Sequence, residues 1–252
     1  MKSFLITCFL FTVSLSHSAM SQPKDTSTQT KDSMTVTELI NIIDSYRGFG
    51  SQGFSFDVTN VSYKANREPR QNKLRVDVKQ NDSIIKFLSP ARQQGRVLLK
   101  QQNNMWLYIP GTRNVIRISP AQRLLGEASN ADVTGSNFSS DYTGEIIEGT
   151  NSDIQVLLTA KENNTSYHKV KFWLQNKAPY QPIKSEYFSR SGKRLKIAQY
   201  KEFKEVNGVV KVHKMLLSDP LIAGSYTWML FDNYHLNELP SALFNKEAIT
   251  NL

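Results

Sequence analysis

The 252-residue chain has a single cysteine, Cys8. Past that position there is no thiol nucleophile, no disulfide and no cysteine-based zinc or iron–sulfur site. Histidine is nearly as scarce, with only His17, His168, His213 and His235, and no pair has the H-E-x-x-H spacing of a metal site. The motifs G-x-S-x-G and G-x-x-x-x-G-K are missing too. Carboxylate pairs such as Asp141 and Glu145 occur in any chain of this composition, and spacing alone assigns neither an acid nor a base. The reading is therefore of a protein that is not an enzyme and uses no metal or cofactor.

Long apolar runs are lacking as well. Phe4 to Leu15 is too short to cross a bilayer. With Lys2 before it and Ser16-His17-Ser18-Ala19 after it, it reads as the apolar region of a cleavable signal peptide over residues 1–19. An uncleaved anchor is the rival reading. Cys8 lies inside the apolar region and not at its end, so the mature chain is expected to be soluble and not lipidated. Residues 20–34 are rich in Ser, Thr, Gln and Lys without apolar periodicity, which predicts a disordered leader.

The formal net charge is +9. Lys and Arg are scattered over strand-like segments and form no basic helix, so the charge fits a solvated face or an anionic membrane surface, and no nucleic-acid partner is expected.

Val36, Leu39, Ile40 and Ile43 recur at helical spacing, Thr35 and Glu38 fit a capping box, and Gly48 and Gly50 end the element. Period-two alternation then takes over, from Phe54-Phe56-Val58 and Leu74-Val76-Val78 through to Tyr226–Leu236, and predicts about a dozen strands. Turn signals separate them, Asn103-Asn104 and Pro110-Gly111 among them, and Asn207-Gly208 is the strongest hairpin signal. The expectation is one mainly β domain over 35–252, an antiparallel meander whose twist curls it into a barrel or half-barrel. A membrane-spanning barrel fits poorly with the helix and the polar-faced hairpins.

Several strands are apolar on both faces: Trp106 and Tyr108 alternate with Met105, Leu107 and Ile109, and Trp173 with Phe172 and Leu174. Something must cover the concave face. The amphipathic helix can cover part of it. The rest falls to Pro120–Tyr142, a long, nearly structureless segment rich in small residues that carries Leu124, Leu125 and Phe138; loops of this length are uncommon unless they act as lids or binding loops.

Five short motifs in fixed order carry a family resemblance: Phe87-Leu88-Ser89-Pro90, Gly95-Arg96-Val97-Leu98-Leu99, Trp106-Leu107-Tyr108-Ile109-Pro110, Val115-Ile116-Arg117-Ile118-Ser119 and Gly135-Ser136-Asn137-Phe138-Ser139-Ser140-Asp141-Tyr142. Together they resemble the outer-membrane lipoprotein-sorting protein family, a branch of the LolA-like superfamily, over roughly Val36 to the C-terminus. Ile116 stands where that family usually has a second arginine, and Asn137 where it usually has aspartate. The resemblance implies a strongly curved, open antiparallel half-barrel with helices covering the concave apolar face. It also implies a periplasmic carrier that takes the acyl chains of a lipid or lipoprotein into an apolar cavity and moves them between inner and outer membrane. Its partners would be an inner-membrane exporter or transporter, for instance of the RND type, and an outer-membrane acceptor.

On this reading Phe56, Leu74, Trp106, Tyr108, Trp173 and Trp228 are the cavity candidates, and ordinary core packing is the alternative for each. Leu125 and Phe138 belong to a lid of low stability that opens for release. Arg117 is read as holding the lid shut through Asp141 or lid carbonyls, against the alternatives of a solvated strand arginine and a turn aspartate. The competing function is a periplasmic sensor or adaptor on the same fold that binds a protein partner. A lipid-directed enzyme using His168, His213 or His235 comes third.

Overall fold

The capping box at the start of the first helix is formed. The Thr35 hydroxyl oxygen accepts from the Glu38 backbone N–H at 3.3 Å, and the Glu38 carboxylate accepts from the Thr35 N–H at 2.8 Å. Donors that a helix start leaves without partners are thereby satisfied. Helix α1, Val36–Ser45, buries Leu39, Ile40 and Ile43 along one side, each worth about 2 kcal/mol. At its other end the Lys211 ammonium donates to the carbonyls of Ser45 and Gly48, a cation at the negative end of the helix dipole. The computed structural model describes residues 34–252 except 103, 113, 135, 136 and 164, and not the side chain at 148. The signal-peptide reading, nearly all of the leader, and Asn103, Gly135 and Ser136 of the motifs above lie outside the described residues.

The meander follows as β1 (Phe54–Lys64), β2 (Arg67–Lys79), β3 (Asp82–Ser89), β4 (Val97–Gln101), β5 (Asn104–Ile109) and β6 (Asn114–Ile118). A small hairpin of β7 (Arg123–Leu125) and β8 (Ala128–Ser129), then helices α2 (Asn130–Thr134) and α3 (Phe138–Asp141), interrupt it. It resumes as β9 (Tyr142–Gly149), β10 (Asp153–Ala160), β11 (Lys169–Gln175), β12 (Pro182–Phe188), β13 (Arg194–Val206), β14 (Val209–Ser218) and β15 (Tyr226–Leu236). The thirteen strands of the large sheet run in the order β6-β5-β4-β3-β2-β1-β15-β14-β13-β12-β11-β10-β9. Because β6 and β9 remain as edges, the curved antiparallel sheet does not close into a barrel. Asn207 and Gly208 have φ of 49° and 75° and join Val206 to its opposite number Val209, the conformation a two-residue hairpin turn requires.

Alternation does not announce β9, whose Ile146 and Ile147 are adjacent and both exposed on the sheet edge. It holds a packing device all the same. A Cβ on Gly144 would lie 2.8 Å from Ile40 Cδ1 and 3.0 Å from Val36 Cγ2, so the glycine is what lets α1 rest on this strand.

The concave face of the sheet is covered, and so is part of the convex face. On the concave face Leu74, Leu98, Met105, Phe172, Val212, Met229 and Phe231 form one core with α1, Leu125, Val133 and Phe138. On the convex face Ile84, Val97 and Leu99 pack against Phe244 and Ile249 of the C-terminal segment, which makes two short 3-10 turns, Ser241–Leu243 and Ala248–Asn251.

Candidate functional site

The segment over the concave face is not structureless, and here the structure corrects the sequence reading. Residues 127–134 are all buried, and polar bonds hold them in place. Lys196 on β13 donates to Asp132 Oδ2 and, at 2.6 Å, to Tyr167 Oη. Asp132 Oδ2 also accepts from the Ser129 N–H at 2.7 Å, and the Ser129 and Tyr167 hydroxyls are 2.8 Å apart. Arg47, just past α1, donates to the Asp132 carbonyl at 2.9 Å. At the hairpin tip the Glu127 N–H donates to Thr227 Oγ1 at 2.9 Å, and Ser225 Oγ donates to Glu127 Oε1 at 2.6 Å. A buried ion pair whose remaining donors and acceptors are satisfied is costly to break by removing one member.

Helix α3 is tied in turn to α1. The Asp44 carboxylate accepts from the backbone N–H of Phe138 (2.8 Å) and of Ser139 (2.9 Å), and burial raises its pKa above the ordinary carboxylate value in spite of those donors. Asn137 caps α3 through its Oδ1, which accepts from the Ser140 N–H, while its Nδ2 donates to Asn81 Oδ1 at 2.7 Å. An aspartate there could cap equally well but not donate to Asn81.

Between α1, α3 and the first four strands the cover leaves a cavity of about 350 Å³. Its floor is apolar, formed by Phe54, Phe56 and Val78, and its mouth is polar, with Asn41, Asp44, Asn81, Asp82 and Asn137. Lys100 and Ser83 also line it. They are opposite one another across β3 and β4, and neither side chain has a hydrogen-bond or ion-pair partner among the described residues. Beneath α2, Phe138, Phe172, Tyr187 and Tyr200 line a second, small pocket of about 20 Å³. Among the described residues no three metal-ligating side chains come together.

Of the expected cavity residues, Phe56 lines this space, whereas Leu74, Leu125 and Phe138 are buried in the concave-face core and do not line it. The other four lie elsewhere. Trp106 and Tyr108 pack in the convex-face cluster under the C-terminal segment. Trp173 alternates with the core residues Phe172 and Leu174, and Trp228 with Met229. Each tryptophan meets a lysine instead: Lys184 Nζ is 3.7 Å from the Trp173 ring centroid, Lys214 4.9 Å from Trp228 and Lys246 5.7 Å from Trp106. Period two places these residues opposite the concave core. Arg117 does not reach Asp141: it donates to Asn104 Oδ1 at 2.5 Å across the β5–β6 hairpin, while Asp141 accepts from the Ser140 hydroxyl. Asp44 and Lys196, which do hold the cover, were missed, since their partners are remote in sequence. Lys100 had a local signal, because it falls in step with core residue Leu98.

A family model described as an uncharacterized protein family matches residues 79–251. No curated protein matches the chain. Among solved structures, a LolA superfamily protein from Nitrosomonas europaea superposes with a TM-score of 0.78 at 25% identity, covering 85% of this chain and 99% of its own. A domain described as outer membrane lipoprotein-sorting, from Vibrio parahaemolyticus, has a TM-score of 0.71 at 19% identity and covers 84% of this chain and 97% of its own. A DUF1329 family protein from Desulfovibrio piger gives the same four figures, 0.71, 19%, 84% and 97%. At that identity these last two bear on the fold alone.

Proposed function

The chain belongs to the family whose model it matches and to the LolA-like superfamily, and on that premise we propose that it is a periplasmic carrier for the acyl chains of a lipid or lipoprotein. The cavity of about 350 Å³ beneath α1, apolar at its floor and polar at its mouth, is the observation that carries this reading; it falls at the lower end of the range of small-molecule sites. Phe54, Phe56 and Val78 are the residues assigned to the acyl chain. Burying a chain of about fourteen carbons is worth on the order of 11 kcal/mol at roughly 0.8 kcal/mol per methylene. Passive release into water would be slow at that strength, so the cargo would pass directly from an inner-membrane exporter or transporter to an outer-membrane acceptor. Export by the N-terminal signal peptide belongs to the same proposal.

One observation favours the adaptor reading. The pocket under α2 holds about 20 Å³, too little for an acyl chain, so this part of the concave face would serve as scaffold for a protein partner.

Native mass spectrometry with lipid extraction, on protein purified from a Gram-negative periplasm, decides between the two. The expected result is a co-purifying acyl compound that is absent from Val78→Trp, a substitution at a partly buried floor position that fills the space. A protein that is empty, and still empty after incubation with membrane vesicles, would overturn the carrier reading in favour of the adaptor.

A further inference from the structure

Lys100 and Ser83 stand out among the buried polar groups. Lys100 is 9% exposed and Ser83 1%. They are cross-strand neighbours on the concave side, where Leu98 and Ile85 continue the same two rows into the core. Both line the cavity, and both lack a side-chain partner among the described residues. The surrounding carboxylates are engaged elsewhere. Asp44 takes the Phe138 and Ser139 N–H groups, Asp82 accepts from the Gln102 N–H at 2.9 Å, and Asp141 accepts from the Ser140 hydroxyl. Only the longer-range fields of Asp141 and Asp82 act on Lys100, and desolvation outweighs them, lowering its pKa.

A buried ammonium with three unmet donors is costly unless something supplies the acceptor. Resting on the carrier reading, we propose that Lys100 and Ser83 form the head-group end of the cavity and take an oxyanion, a carboxylate or phosphate, on the acyl ligand. The ammonium neutralises the charge and the hydroxyl donates to a second oxygen, while the chain runs along Phe54, Phe56 and Val78. Charge-assisted bonds of this kind are about twice as strong as neutral ones. A neutral head group would leave ammonium donors unmet, and a cationic one would be repelled.

The test is a binding series with three ligands of one chain length: palmitate, hexadecyl phosphate and 1-hexadecanol. The unsubstituted protein is expected to bind at least one of the two anions about tenfold or more tighter than the alcohol, and the tighter anion identifies the head-group class. Lys100→Met should reduce anion binding to the level of the alcohol while leaving the alcohol unchanged, and Ser83→Ala should do the same in part. Equal binding of anions and alcohol by the unsubstituted protein, or an anion preference that survives in Lys100→Met, would overturn the proposal while leaving the carrier reading intact. If none of the three ligands binds, the carrier reading falls and this one with it. Thermal unfolding supplies an independent check. Ligand-free Lys100→Met should melt no lower than the unsubstituted protein, because it removes an unpartnered charge, and a clear loss would reveal a structural role and overturn the assignment.

Discussion

Two buried lysines on the concave face sit in opposite circumstances. Lys196, under α2, meets Asp132 and the Tyr167 hydroxyl in a network where Ser129 supplies the remaining bonds. Lys100, under α1 and α3, has no hydrogen-bond or ion-pair partner among the described residues. The difference follows the packing: the pocket among Asp132, Phe138, Phe172, Tyr187 and Tyr200, on the side of Lys196's partner, holds about 20 Å³, and the one that Lys100 lines holds about 350 Å³. One half of the face pairs its buried lysine internally. The other half leaves its lysine unpaired and the space beside it open, as a binding site must if its occupant is to complete them.

The largest effect should come from breaking the completed half. Lys196→Met leaves the Asp132 carboxylate buried without its cation, which costs about 3–5 kcal/mol. For a domain of this size the melting temperature should fall by roughly 6–20 °C. Adding Asp132→Leu should restore much of that loss, since replacing a buried pair by apolar residues is often close to neutral. If Lys196→Met melts like the unsubstituted protein, the contrast between the two lysines is lost. A smaller loss is expected at the hairpin tip, where Gly126 has φ of +62° and an added Cβ would lie 2.4 Å from both Ser62 Cβ and Thr227 Oγ1. Gly126→Ala should cost about 2 kcal/mol in the same assay, because backbone strain and overlap act together.

The sequence revealed these halves unequally. Helix α1, its cap and nearly every strand of the large sheet were legible, because periodicity and turn chemistry are local signals. Period two separates two faces but does not say which of them is inside. Here the convex face is apolar too where Phe244 and Ile249 cover Ile84, Val97 and Leu99, and the three tryptophans alternate with concave-core residues. The cover was read as loose because its composition is that of a loop. Its order comes from Lys196 to Asp132, 64 residues away, and from Asp44 to Phe138, 94 residues away, pairings that leave no trace in a local window. Phe56 lies on an apolar alternation that a local window shows. Lys100 obeys the same alternation, but a charged residue on a core row carries no local sign of what it faces.

Titration compares unpartnered and partnered lysines in another way. Burial lowers Lys100, and lowers Lys211 to about 8 from 10.5 although Lys211 donates to two carbonyls. The folded state therefore binds fewer protons than the unfolded chain between about pH 8 and 10.5. Stability rises with pH wherever the unfolded state holds more protons, so Lys211 should raise the unfolding free energy by about 1.5 kcal/mol as pH climbs from 8 towards 9.5, and Lys100 acts in the same direction. Above pH 10 the trend should reverse, because burial holds Tyr46 up at about 12 and the unfolded chain ionises first. Denaturant titrations at three pH values, repeated on Lys211→Met, would measure the slope. An identical slope in the variant would remove Lys211 as its source.

The smallest effect is expected at Arg117, where it decides what holds the cover. Were Arg117 the clasp, Arg117→Ala would loosen the segment over the concave face and cost as much as losing a buried contact. It lies exposed on the β5–β6 hairpin with Asn104 as its partner, far from a role that Asp44 and Lys196 already fill. Exposed polar contacts of this kind contribute little, so the change in stability should stay within about 0.5 kcal/mol, and hydrogen exchange at residues 127–134 should be unaltered. Faster exchange there, with Lys196 in place, would mean that the cover is held from the sheet edge, and that the buried pair only fills space beneath it.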